Sequence, residues 1–87
     1  MKISILGSTG SIGTQTVDVA RSLGIGVSAL AAGRSFREVE AQARLLRPEL
    51  AVMYDEAAAR ELKTALADTP VRVASGMSGL AEAASLE

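Results

Sequence analysis

Short apolar runs alternate along this chain with longer stretches of helical period. Ile3-Ser4-Ile5-Leu6 is β-branched and apolar and is cut off by Gly7, which predicts a buried strand. From Ile12 the period changes: Ile12, Thr16, Val19 and Leu23 recur at i, i+4, i+7 and i+11, the apolar stripe of an amphipathic helix. Gly24-Ile25-Gly26 breaks that period, and Val27-Ser28-Ala29-Leu30-Ala31 follows as a second strand, assigned by its position because alanine is a weak strand former. A second helix carries Phe36, Val39, Ala43 and Leu46 on one stripe; Ser35 and Glu38 make the S-x-x-E capping box at its start, and Arg47-Pro48 ends it. Leu50-Ala51-Val52-Met53 is a third strand, and Asp55 caps a helix over 56–67. Thr69-Pro70 closes that unit. Val71-Arg72-Val73-Ala74 alternates apolar and polar, as an edge strand with one solvated face does. Ser75-Gly76 then turns, and Ser78 caps a last short helix through Ala81 and Ala84.

Four strands alternating with four helices predict an α/β fold in which right-handed crossovers build one parallel sheet. Residues 1–87 read as a single domain, with no repeat or linker. An edge position for the fourth strand gives the spatial order 4-3-2-1. The apolar first strand is then the other edge, where an intact domain normally places a further strand. The domain is therefore expected to be incomplete, and the chain to self-associate through its first strand; a clean monomer by light scattering at high concentration would contradict this.

Composition narrows the chemistry. The chain has no cysteine and no histidine, which removes disulfides, zinc fingers, cysteine nucleophiles and Ser-His-Asp triads together. A net charge of −1 makes no electrostatic case for nucleic acid or for an acidic membrane surface. No apolar stretch approaches the roughly 18 residues of a membrane span, and the expected location is cytoplasmic. The only aromatic residues are Phe36 and Tyr54, so base stacking is not expected to be a major binding device. Charge is uneven: residues 1–37 carry Lys2, Arg21, Arg34 and Arg37 against Asp18, whereas five basic and nine acidic residues fall in 38–87. The basic part contains the glycine-rich turn Gly7-Ser8-Thr9-Gly10-Ser11-Ile12-Gly13.

That turn joins a strand to a helix, and its glycines let a ligand approach the helix N-terminus closely. The first N–H groups of a helix lack internal partners and carry the positive end of the dipole, so they hold a phosphate without a lysine. Thr9 and Ser11 add hydroxyl donors. The spacing G-x-x-G-x-x-G has Ser8 where the dinucleotide fingerprint puts its first glycine, and no Gly-Lys-Ser/Thr follows, which excludes a P-loop. The fold expected is thus a Rossmann-like sheet binding a dinucleotide. About 20 residues beyond the turn, such domains place an acidic residue that binds the ribose hydroxyls of NAD. Here Gly33-Arg34-Ser35 stands in that place with no carboxylate. The Arg34 guanidinium pairs with a 2′-phosphate, and Ser35 adds a hydroxyl at the next helix start, so the expected cofactor is NADPH. Arg37, one turn on, is a surface arginine or a second phosphate partner. A βα turn binding nothing, a solvated Arg34 and a purely capping Ser35 are the structural alternatives.

Ile5-Leu6-Gly7-Ser8-Thr9-Gly10-Ser11-Ile12-Gly13, with Thr16-Val17-Asp18-Val19, Ala32-Gly33-Arg34 and Arg47-Pro48-Glu49-Leu50-Ala51-Val52-Met53, resembles the N-terminal part of the 1-deoxy-D-xylulose 5-phosphate reductoisomerases. The resemblance implies NADPH contacts from Thr9, Gly10, Ser11 and Ile12 at the first helix and from Gly33, Arg34 and Ser35 at the 2′-phosphate. Arg34 stands where some relatives have lysine. It further implies reduction and rearrangement of 1-deoxy-D-xylulose 5-phosphate to 2-C-methyl-D-erythritol 4-phosphate in isoprenoid biosynthesis, with Mg²⁺ or Mn²⁺, by the full-length enzyme. No catalytic or metal-binding residue is assigned within this chain: Asp18, Glu38, Glu40 and Asp55 fall on helix surfaces and caps, and the 87-residue chain alone is expected to be inactive. A stand-alone dinucleotide sensor and a structural or domain-swapped piece that binds no cofactor are the competing possibilities.

Overall fold

The computed structural model describes residues 2–85. The strands β1 (Lys2–Leu6), β2 (Gly26–Ala32), β3 (Leu50–Met53) and β4 (Arg72–Ser75) alternate with the helices α1 (Ser11–Leu23), α2 (Phe36–Leu46), α3 (Glu56–Ala65) and α4 (Gly76–Ser85). All neighbouring strands are parallel, in the order β1-β2-β3-β4, which is the order expected from the sequence. Each crossover steps in the same direction, and buried side chains of α1, α2 and α3 join one core cluster, so the three helices share one face of the sheet. The main core lies on that face, where Leu30, Val39, Met53, Leu62 and Leu66 are buried.

The other face is covered by α4. It packs across Ala29, Ala31, Leu50 and Val52, and the Ala83 carbonyl accepts a hydrogen bond from Ser4 Oγ of β1 at 2.8 Å. Close approach here relies on Gly79, whose missing Cβ would lie 2.9 Å from Val52 Cγ1 and 3.2 Å from Ala74 Cβ.

Three local expectations are corrected. The stripe Ile12, Val19 and Leu23 does not face the core; these side chains are 78%, 53% and 69% exposed, while Val17 and Ala20 are buried. The helix presents its small face to the sheet because Gly13 must sit against the preceding loop, and that rotation turns the larger residues outward. Ser35 is the N-cap of α2, but its side chain makes no capping bond; Val39 N–H bonds the Ser35 carbonyl at 3.2 Å instead. Ser78 lies inside α4, which starts directly from β4 at Gly76, so Ser78 is no cap. The Asp55 cap is present, with its carboxylate accepting from Ala58 N–H at 2.9 Å.

At the outer end of the α2–α3 pair, Arg44 forks onto Asp68 through two bonds of 3.0 and 2.9 Å and bonds Glu40 at 3.2 Å. The hydrogen bonds from Arg44 hold the Asp68 carboxyl below its ordinary range. A carboxyl whose pKa is lowered by folding contributes stability above its unfolded value and loses it as pH falls through the folded value. Asp68→Asn is expected to flatten the acid limb of stability against pH, a change read by thermal melts in acid.

Candidate functional site

The C-terminal ends of β1, β2 and β3 converge at one edge of the molecule, where open parallel sheets bind ligands. Leu6 pairs with Ala31 in the ladder, and beyond that pair Gly7 N–H and Ser8 N–H both donate to the Ala31 carbonyl, at 2.7 and 2.9 Å. These bonds tie the glycine turn to the strand that delivers Gly33, Arg34 and Ser35. Gly7 adopts φ +81°, a left-handed conformation that favours glycine. Gly10 N–H closes the turn onto the Gly7 carbonyl at 3.1 Å, and Gly10 is the N-cap of α1.

Gly13 is required for a different reason. A Cβ there would lie 1.9 Å from the Gly7 carbonyl oxygen and 2.9 Å from Ser8 Cα, both backbone atoms. The first turn of α1 therefore lies directly on the loop. No side chain caps that turn and it holds no acidic residue, so its leading N–H groups and the dipole face outward uncompensated. Ser11 and Ile12 are exposed there and Thr9 is half-buried. Ile12 is the second residue of α1, so its backbone N–H belongs to that uncapped first turn.

A buried residue from α2 holds the loop from beneath. Gln42 Nε2 donates to the Ser8 carbonyl at 2.8 Å across 34 residues of sequence. The Ser8 side chain is fully buried, so it faces away from the ligand side of the turn. Ser8 Oγ and Gln42 Oε1 have no partner. Sequence reasoning passed over Gln42 because it falls among the α2 core positions Val39 and Ala43, with no motif to mark it. Gln42→Leu removes the donor and leaves the Ser8 carbonyl unpaired, and is expected to cost about 1–3 kcal/mol in chemical denaturation.

On the β2 side, Gly33, Arg34 and Ser35 are all exposed at the strand end. Arg34 lines an open cavity of about 530 Å³ with Gly33, Tyr54, Asp55, Glu56 and Ala57, and a second of about 260 Å³ with Ser35, Phe36, Arg37 and Glu38. Because Ser35 makes no capping bond, its hydroxyl remains free for an anion. The Arg37 guanidinium rests over the Phe36 ring, 5.7 Å from its centre, as a surface arginine does. The structure thus brings the two groups of sequence-predicted residues, 9–12 and 33–35, to one end of the sheet. It adds Tyr54, which sequence reasoning discounted and which stands 56% exposed in the larger cavity. Among the described residues no three His, Cys, Asp or Glu side chains gather as a metal site, and no helix is long and apolar enough to cross a membrane.

Residues 3–87 match the family described as 1-deoxy-D-xylulose 5-phosphate reductoisomerase. The reductoisomerase of Agathobacter rectalis is 52% identical over 87 residues, which are 99% of this chain and 23% of that protein. That of Acetivibrio thermocellus is 50% identical over 98% of this chain and 22% of its own length. This chain therefore spans under a quarter of the relatives it matches. Among solved structures, the reductoisomerase from Zymomonas mobilis in complex with NADPH superimposes with a TM-score of 0.89 at 34% identity, covering 94% of this chain and 22% of that one. A reductoisomerase in complex with magnesium does so with a TM-score of 0.87 at 26% identity, over 93% of this chain and 21% of that one.

Proposed function

The chain belongs to the 1-deoxy-D-xylulose 5-phosphate reductoisomerase family, and from that premise we propose that residues 1–87 form the NADPH-binding portion of such an enzyme. The observation that carries this is the pair of hydrogen bonds from Gly7 N–H and Ser8 N–H to the Ala31 carbonyl, which ties the loop before α1 to the strand that leads into Arg34 and Ser35. One dinucleotide can then reach both. The N–H groups at the start of α1, with the Thr9 and Ser11 hydroxyls, receive the pyrophosphate, and the absent Cβ of Gly13 lets helix and loop stay closed beneath it. Gly33 leaves the ribose room, and Arg34 and Ser35 take the 2′-phosphate.

When bound, NADPH supplies the reducing equivalent for conversion of 1-deoxy-D-xylulose 5-phosphate to 2-C-methyl-D-erythritol 4-phosphate. This chain's part is to bind and orient; the substrate and the Mg²⁺ or Mn²⁺ are held by residues of the longer enzyme, in the cytoplasm. The 87-residue chain alone is accordingly expected to oxidise no NADPH above background when given substrate and Mg²⁺.

Calorimetric titration with NADPH, NADH and 2′-phospho-AMP tests the assignment. Wild type is expected to prefer the 2′-phosphorylated ligands, and Arg34→Ala to weaken them about ten- to a hundredfold while leaving NADH unchanged. Binding without preference for the phosphate would remove the role of Arg34. No binding by folded protein would make the chain a structural piece, and a sensor is distinguished by binding in a full-length protein that lacks turnover.

The outer side of β1 pairs with no strand among the described residues, and Leu6 and the Ile12–Val19–Leu23 row are exposed near that side of the sheet. Self-association of the isolated chain through this edge is part of the proposal. Sedimentation is expected to show concentration-dependent association that Leu23→Glu weakens; a monomer at all concentrations would refute it.

A further inference from the structure

We propose that Tyr54 is the stacking platform for the adenine ring in this site, so that base and 2′-phosphate are read by two adjacent residues from different strands; the inference rests on the NADPH reading above. Tyr54 follows the last residue of β3, and its N–H donates to the Ala32 carbonyl at 2.8 Å. The next N–H, that of Asp55, donates to the Gly33 carbonyl at 3.0 Å. Those two bonds fix the Tyr54 backbone beside the Gly33-Arg34 step. Its side chain is 56% exposed and lines the cavity that Gly33 and Arg34 also line. A large ring left in water at the mouth of a pocket, with its backbone fixed by two ladder-like bonds, is preorganised to receive a flat ligand.

The cavity lining carries both signs of charge: Arg34 is its cation, and Asp55 and Glu56 are its carboxylates. The cation suits a phosphate, and a carboxylate oxygen suits a base that offers an amino donor, as adenine does. The phosphate then belongs with Arg34 and Ser35, and the base with Tyr54. The cavity volume of about 530 Å³ lies within the usual range of roughly 300–1,000 Å³ for small-ligand sites.

Tyr54 is the only tyrosine and the chain has no tryptophan, so intrinsic fluorescence reports this residue alone. Titration with adenosine 2′,5′-bisphosphate is expected to quench it saturably. By calorimetry, which needs no fluorophore, Tyr54→Ala is expected to weaken that ligand about tenfold, the usual size of one base-stacking contact. Tyr54→Phe should keep the wild-type affinity, and Tyr54→Leu should resemble Tyr54→Ala. The NADPH-to-NADH preference should survive in Tyr54→Ala, because the phosphate is held elsewhere, whereas Arg34→Ala should lose that preference and keep the quenching at higher ligand concentration. Unquenched fluorescence with equal affinity in wild type and Tyr54→Ala would overturn the stacking role and leave the cofactor reading intact. Absence of binding of both the bisphosphate and NADPH to folded wild type would overturn both. Tyr54 is exposed, so unchanged thermal melting of the variants is the expected control.

Discussion

Gly13→Ala is expected to be the most damaging single substitution in this chain. The added methyl would sit 1.9 Å from the Gly7 carbonyl oxygen and 2.8 Å from the Gly7 carbonyl carbon. Neither is the end of a flexible side chain, so relief requires moving α1 away from the loop or unwinding its first turn. The loop cannot retreat, because it is bonded to Ala31 above and to Gln42 from below. Overpacking costs about 1–3 kcal/mol where neighbours can yield and occasionally more, and a 1.9 Å approach to a fixed backbone atom puts this site at the upper end or beyond. A domain of this size has only about 4–13 kcal/mol in total. Urea denaturation should show a large fall in midpoint, and any protein that remains folded should bind NADPH poorly, because the leading N–H groups of α1 no longer point to one place. Gly10→Ala is the contrasting control: its Cβ would meet only the Gly7 oxygen at 3.5 Å, and Gly10 has φ −77°, so a small change is expected. Equal, mild effects at both positions would show that the loop and α1 are not in the contact described.

Leu30→Ala is expected to cost about 2–5 kcal/mol, the range for truncating a fully buried leucine. Leu30 has no exposed surface, pairs with Ile5 and Ala51 across the sheet, and packs in the core beneath α1 to α3. The cavity cannot be refilled from the strand itself, since its neighbours Ala29 and Ala31 face the other side. The urea midpoint should fall with little change in slope, as a loss of stability without loss of compactness does. Leu23→Ala makes the comparison sharp. It removes the same atoms from a residue that is 69% exposed, so a change within about 0.5 kcal/mol is expected. Costs of similar size at both positions would restore Leu23 to the core and contradict the orientation of α1.

Much of the geometry of the candidate site was legible because it is local. Gly7, Gly10 and Gly13 lie within one turn, Arg34 and Ser35 follow the next strand, and backbone requirements of that kind depend on neighbours in sequence. The residues that only the fold brings to the candidate site are long-range. Gln42 matters only because α2 folds back under the loop, and Tyr54 only because β3 ends beside β2. The Ser35–Glu38 pair was misleading in the opposite way: the pattern fits a capping box, but the Ser35 backbone, at ψ 64°, leaves the hydroxyl without its N–H partner.

The order of elements, the parallel sheet and the identity of the glycine turn were determined by the sequence itself, since strand length, helical period and positive-φ turns are properties of neighbouring residues. Which face of α1 is buried was decided only in three dimensions. Periodicity locates the larger apolar residues, Ile12, Val19 and Leu23, but burial follows the closest attainable packing, and here Gly13, Val17 and Ala20 let the helix lie against loop and sheet where a larger stripe would hold it off.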